Sequence, residues 1–147
     1  MTFEYVCTRN DLADLLEIPY GKLTHVLYVA KVDSFYKIFE IPKKSGGTRK
    51  ICAPTGDLKQ IQEKLYSILL HHQQFLRKQN NIHANISHAF EKGKSIITNG
   101  EVHRNKRIVI NIDLQDFFDS FHFGRVCGFF EKNRDFALPH ELAIVMA

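Results

Sequence analysis

The chain has 147 residues, enough for one domain and short for two. It is 44% hydrophobic with only 8 Gly and 4 Pro, too apolar for a disordered chain, and no apolar run approaches the roughly 18 residues of a bilayer span, so a folded, non-membrane protein is expected. The net charge of +4 conceals a cancellation: residues 1–30 hold two basic and four acidic groups, residues 31–110 fifteen and six, and residues 111–147 three and six, so a basic middle suited to a polyanion, or simply a solvated Lys-rich surface, lies between acidic ends.

Residues 8–30 read as two short helices. Thr8 with Asp11 resembles a capping box, Leu12, Leu15 and Leu16 give an apolar face, and Pro19 can begin a second helix carrying Leu23, Val26, Leu27 and Ala30. A helix-turn-helix would place its recognition helix around residues 21–28, with only Lys22, Thr24 and His25 as polar readers in a net acidic segment. A packed helical hairpin accounts for the same pattern without a ligand.

Residues 36–53 read as a β-hairpin: YKIFEI alternates, KKSGGT supplies the turn and RKICA returns. Its tip is basic. The amides around Gly46 and Gly47, with Lys43, Lys44 and Arg49, offer a place for phosphates, although the spacing is not that of a P-loop and a Lys-rich tip also serves solubility.

After the turn at Pro54 to Gly56, helical spacing of Ile61, Leu65, Ile68, Leu69, Phe75 and Leu76 predicts a helix over residues 57–78, a scaffold under the hairpin with Lys59, Glu63 and Lys64 facing water. Residues 80–85 read as a loop, and a further helix is predicted over 95–99, interrupted by Gly100. A last helix starts at Pro139. Its Leu142, Ile144, Val145 and Met146 are expected to leave an exposed apolar end.

Cys7, Cys52 and Cys127 are odd in number, far apart and in no CxxC pair, which supports neither a disulfide framework nor a zinc ribbon. With an N-terminus lacking a basic and then apolar stretch, the cytoplasm is the expected location. Five of the eight histidines fall in the basic middle, but adjacent His71 and His72 would point to different helix faces, so a metal cluster there is not expected.

The stretch from Arg107 to Phe121 carries the chemistry. Ile108, Val109, Ile110 and Ile112 predict a buried β-strand that ends at Asp113, with carboxylates following at Asp116 and Asp119. A carboxylate at the end of a buried strand is costly unless a cation compensates it, and magnesium is the natural one; capping of a following helix is the plain alternative.

The string NIDLQDFFDSF resembles the first catalytic motif of reverse transcriptases of the bacterial retron and group II intron type. IPKKSGGTRKICAP followed by LKQIQEKL resembles the fingers of that family, and SHAFEKGKSIITNGEVH its Ser-His-Gly-Phe segment. The resemblance covers nearly the whole chain. It implies an α+β fold: an N-terminal helical segment over 1–32, polymerase fingers over 33–106 and the first part of the palm over 107–147, the palm incomplete and the thumb absent. It implies that Asp113 ligates both catalytic Mg2+ ions, with the Leu114 carbonyl on the second. Phe118 then corresponds to the gate against a ribose 2′-hydroxyl, Asp116 and Phe117 lie along the dNTP triphosphate, and Lys43, Lys44 and Arg49 clamp it from the fingers. Phe118 as a core aromatic is the alternative.

Asp119 stands where many retron enzymes have Pro, and Ala89 replaces the Gly before Phe90. The Pro-Gln-Gly and Tyr-x-Asp-Asp motifs are absent from these 147 residues, so the chain alone is expected to be inactive, since one carboxylate cannot hold two metal ions. The resemblance implies partners: a noncoding RNA template, the RNA–DNA hybrid, dNTPs and an effector protein in antiphage defence. Half of a split polymerase, completed by a second chain, and a noncatalytic RNA-binding or effector-sequestering protein are the rival readings.

Overall fold

The computed structural model describes residues 3–44, 46–80, 87–115, 117–118 and 120–147. In chain order the elements are α1 (Arg9–Leu15), α2 (Tyr20–Thr24), β1 (Tyr36–Pro42), β2 (Thr48–Pro54), α3 (Gly56–Gln79), α4 (Ile96–His103), α5 (Phe123–Lys132) and α6 (His140–Met146). They fall into two compact units, one of residues 1–69 with 122–147 and one of residues 70–121.

The first unit holds the core. The Thr8 hydroxyl accepts from the Asp11 amide while the Asp11 carboxylate accepts from the amides of Cys7 and Thr8, so the predicted capping box starts α1. Hydrogen bonding to Thr8, above all, holds the Asp11 carboxyl below its ordinary value. Leu12, Leu15 and Leu16 are buried, as are Leu23 and Val26 beyond Pro19, which caps α2; the helix passes into a π turn at His25–Val29. These side chains meet Ile61 of α3, Phe130, Leu142 and Met146 of the C-terminal helices, and Leu138 of the connection between those helices. Each fully buried residue of this size contributes about 1.5–3 kcal/mol of transfer free energy, enough to order a hairpin of short helices that would not be stable alone.

Lys22 is committed to this packing: its ammonium reaches Asp57 at 2.7 Å and donates to Gln60 at 2.8 Å, both on α3. The Thr24 hydroxyl is buried. Two of the three side chains on which a recognition helix depended therefore face the protein, and the packed helical hairpin is what forms. Lys64 donates to the Glu17 carbonyl at 2.8 Å, so the first half of α3 rests on the N-terminal helices.

β1 and β2 pair antiparallel, with Tyr36 opposite Pro54 and Pro42 opposite Thr48, within one residue of the predicted bounds. Gly46 and Gly47, at φ of 90° and 79°, make the turn, which non-glycine residues there would strain.

α5 is an element absent from the sequence-based expectation. Its signal was present as Val126, Cys127 and Phe130 at helical spacing. It pairs with α6, whose Leu142 and Met146 are buried on it, so the apolar end expected to be exposed is mostly covered; Ile144 remains 42% exposed.

The second unit is thin. Among the described residues only His72 within it is buried, and it contributes nothing to the apolar core. The Ser95 hydroxyl accepts from the amides of Ile97 and Thr98 to start α4, and Gly100 sits inside this helix, which runs on to His103. A single exposed glycine costs only about 1 kcal/mol, less than a reciprocal cap supplies, so it does not interrupt. The predicted loop at 80–85 lies, apart from Asn80, outside the described residues. No helix among the described residues is long and apolar enough to cross a membrane.

Candidate functional site

Asp113 lies on an irregular, exposed stretch, not at the end of a buried strand as the sequence predicted. The apolar run before it is open to solvent, with Ile108 73%, Ile110 77% and Ile112 77% exposed. The physical reason is pairing. A strand's amides and carbonyls need a neighbouring strand, and among the described residues the two strands present pair only with each other. β-Propensity without a partner leaves this segment solvated.

Leu114 is exposed, and Phe117 and Phe118 follow in a tight turn in which the Ser120 and Phe121 amides donate to the Phe117 and Phe118 carbonyls. The Ser120 hydroxyl also donates to Phe117, at 2.6 Å. Asp116 and Asp119 lie outside the described residues. The Phe117 ring meets Phe118 with centroids 5.3 Å apart and Phe121 at 5.0 Å, and Phe90 meets Phe118 edge-on at 6.3 Å. Phe118 is 70% exposed, so it is no core aromatic here.

Phe90 is placed by its neighbours. Glu91 accepts both guanidinium nitrogens of Arg77, at 3.0 and 2.9 Å, which fixes the segment to the end of α3. Those bonds hold the Glu91 carboxyl below its ordinary value and raise Arg77. His88 Nδ1 lies 2.9 Å from the Thr98 hydroxyl, which in turn accepts from the Ser95 amide, so the segment is also fastened to the first turn of α4. Sequence reasoning missed this role of Thr98, although its spacing after Ser95 is that of a capping pair.

Lys43, Lys44 and Arg49 gather at the exposed tip of the hairpin, with no acidic partner among the described residues. Arg49 sits opposite Ile41 and so shares a face with Phe39, while Lys50 points to the other face. The Gly46 amide donates to the Lys43 carbonyl at 3.1 Å, which removes it from the set of free amides expected to meet phosphate. The structure thus groups the predicted residues in two sets, the basic tip in the first unit and Asp113, Leu114, Phe117 and Phe118 in the second.

The Asp113 carboxylate and the Leu114 carbonyl are hard oxygen donors of the kind magnesium takes. The set is incomplete: no cluster of three metal-donor side chains among the described residues includes Asp113.

The profile of the family described as "Reverse transcriptase (RNA-dependent DNA polymerase)" matches residues 41–127, from the hairpin through Asp113 into α5. The chain belongs to the reverse transcriptase family. Among its curated relatives are the retron Mx65 and retron Mx162 reverse transcriptases of Myxococcus xanthus, each 32% identical over 82% of the chain. The retron Ec83 reverse transcriptase of Escherichia coli is 32% identical over 64% of it. The chain spans about a quarter of the length of these relatives, 27%, 24% and 28% in turn. No solved structure matches it with significance.

Proposed function

We propose that the chain supplies the fingers (33–106) and the first part of the palm (107–147), behind an N-terminal helical segment (1–32), of a retron-type RNA-directed DNA polymerase. The enzyme copies a structured noncoding RNA into single-stranded DNA in the cytoplasm and acts in antiphage defence with an effector protein. The observation that carries this reading is the run Ile108 to Ile112 leading to Asp113: strongly strand-forming and apolar, yet exposed, it has the character of a sheet strand awaiting its neighbours, with a carboxylate at its end.

In this reading Asp113 and the Leu114 carbonyl hold Mg2+, which supplies charge neutralisation on the transferring phosphoryl group. Asp116 and Phe117 run along the triphosphate, Phe118 excludes the 2′-hydroxyl, and Lys43, Lys44 and Arg49 bind the triphosphate from the fingers. The carboxylates that the 147 residues do not contain come from further polypeptide, in the same chain or in a second one, and without them the chain is inactive.

The test is primer extension on structured RNA by the assembled polymerase. Asp113→Ala abolishes DNA synthesis while RNA binding stays within about threefold, because one exposed carboxylate contributes little to a phosphate-dominated affinity. Undiminished extension by that variant would sink the reading.

A further inference from the structure

Cys127, Glu131 and His140 converge where α5 meets α6: one donor atom from each, thiol, carboxylate and imidazole, lies within 4.8 Å of the others. None has a part in the polymerase reading. We propose that these three residues bind a single zinc-class transition-metal ion, leaving a fourth position for water or another ligand.

The cluster is built by the fold. Cys127 and Glu131 stand four residues apart on α5 and so share one face. His140 reaches that face through a short connection fixed at both ends. The Asn133 carbonyl accepts from the amides of Phe136 and Ala137, its side chain accepts from Asp135, and the Leu138 amide returns to the Phe130 carbonyl at 3.0 Å. Leu138 is 2% exposed, which anchors the connection in the core immediately before Pro139 caps α6. The His140 imidazole arrives with its Nδ1 at 3.5 Å from the Glu131 carboxylate.

The donor chemistry selects the ion. Thiolate, imidazole and carboxylate together are a borderline-soft set that suits zinc, whereas magnesium takes oxygen ligands almost exclusively. Donors around a tetrahedral zinc lie roughly 3.3–3.8 Å apart for bond lengths of about 2.0–2.3 Å. The three groups therefore need to close by only about 1 Å, a rotamer adjustment open to Glu131 and His140, whose side chains are 39% and 67% exposed. Cys127, 6% exposed, gives the site a buried wall, and binding releases the thiol proton to solvent. Without a metal, the arrangement is an exposed carboxylate–imidazole pair above a buried thiol.

Titration of the reduced 147-residue chain with Co2+, followed by Zn2+, separates the two. One Co2+ per chain is expected, with a near-ultraviolet thiolate-to-cobalt band and visible bands of four-coordinate intensity, all removed by one equivalent of Zn2+. Cys127→Ala abolishes the thiolate band, and His140→Ala and Glu131→Gln each weaken binding about tenfold or more. Replacing the exposed Cys7 or Cys52 with Ala changes nothing. Absence of the thiolate band, its survival in Cys127→Ala, or a His140→Ala titration that superimposes on that of the unaltered chain overturns the proposal. Helicity by circular dichroism checks that Cys127→Ala folds; should it not, the two exposed ligands decide the question, and both must show the loss.

Discussion

The Phe90 ring stands edge-on to Phe118, with centroids 6.3 Å apart and an interplanar angle of 87°. Phe90 holds a left-handed backbone conformation, φ 59°, that a bulky residue adopts only when its surroundings fix it. Here the fixing groups are the Arg77–Glu91 fork and the His88–Thr98 contact on either side. The segment following α3 thereby supports the aromatic turn after Asp113.

Phe118→Val should admit ribonucleotides in the assembled polymerase, with the preference for deoxynucleotides falling about 10- to 200-fold, the range that loss of steric contact in a pocket gives. Because the side chain is exposed but packs edge-on to Phe90 and Phe117, its loss should cost about 0.5–1.5 kcal/mol of stability. Competitive incorporation assays measure the first and chemical denaturation the second. An unchanged sugar preference would count against the gate.

Arg49→Ala, and more so the triple replacement of Lys43, Lys44 and Arg49 by Ala, should raise the KM for dNTP with a smaller effect on kcat. About 1.5–3 kcal/mol per lost charged hydrogen bond corresponds to roughly tenfold or more in KM. These side chains are exposed at a hairpin tip, so the fold is retained. Steady-state kinetics that matched the unaltered enzyme would mark the tip as a solubility feature only.

The Arg77–Glu91 pair gives a pH dependence of definite sign. The carboxyl of Glu91 is held below its ordinary value of 4.5, chiefly by its hydrogen bonds to Arg77, so folding favours the ionised form. The stabilisation is complete above the ordinary value and is lost as pH falls through the lowered one. It amounts to about 1 kcal/mol, since both groups keep some solvent contact. Glu91→Gln should remove that pH dependence from the exchange protection of amides around Phe90, and a Glu91 carboxyl that titrates at the ordinary value by NMR would refute the account.

Leu142→Ala should cost about 2–5 kcal/mol, because the side chain is 1% exposed in the core, whereas Ile144→Ala on the same helix should cost under about 1 kcal/mol. Urea denaturation monitored by circular dichroism gives both values. Equal costs would mean that α6 does not dock by the face described.

Elements whose signals are local were legible in the sequence. The capping box at Thr8, the hairpin with glycines at its tip, the long helix from Gly56 and the start at Pro139 follow from cap chemistry, alternation and helical spacing, all settled within a few residues of chain. The family, too, was written in the string around Asp113. Tertiary structure decided what depends on a distant partner. It committed Lys22 to Asp57 and Gln60, buried Leu142 and Met146 against α5, and brought His140 to Cys127 and Glu131. Among the described residues it also left Ile108 to Ile112 without a neighbouring strand: apolar alternation and β-branching give a segment the capacity to be a strand, but only a second strand can satisfy its backbone and cover its side chains.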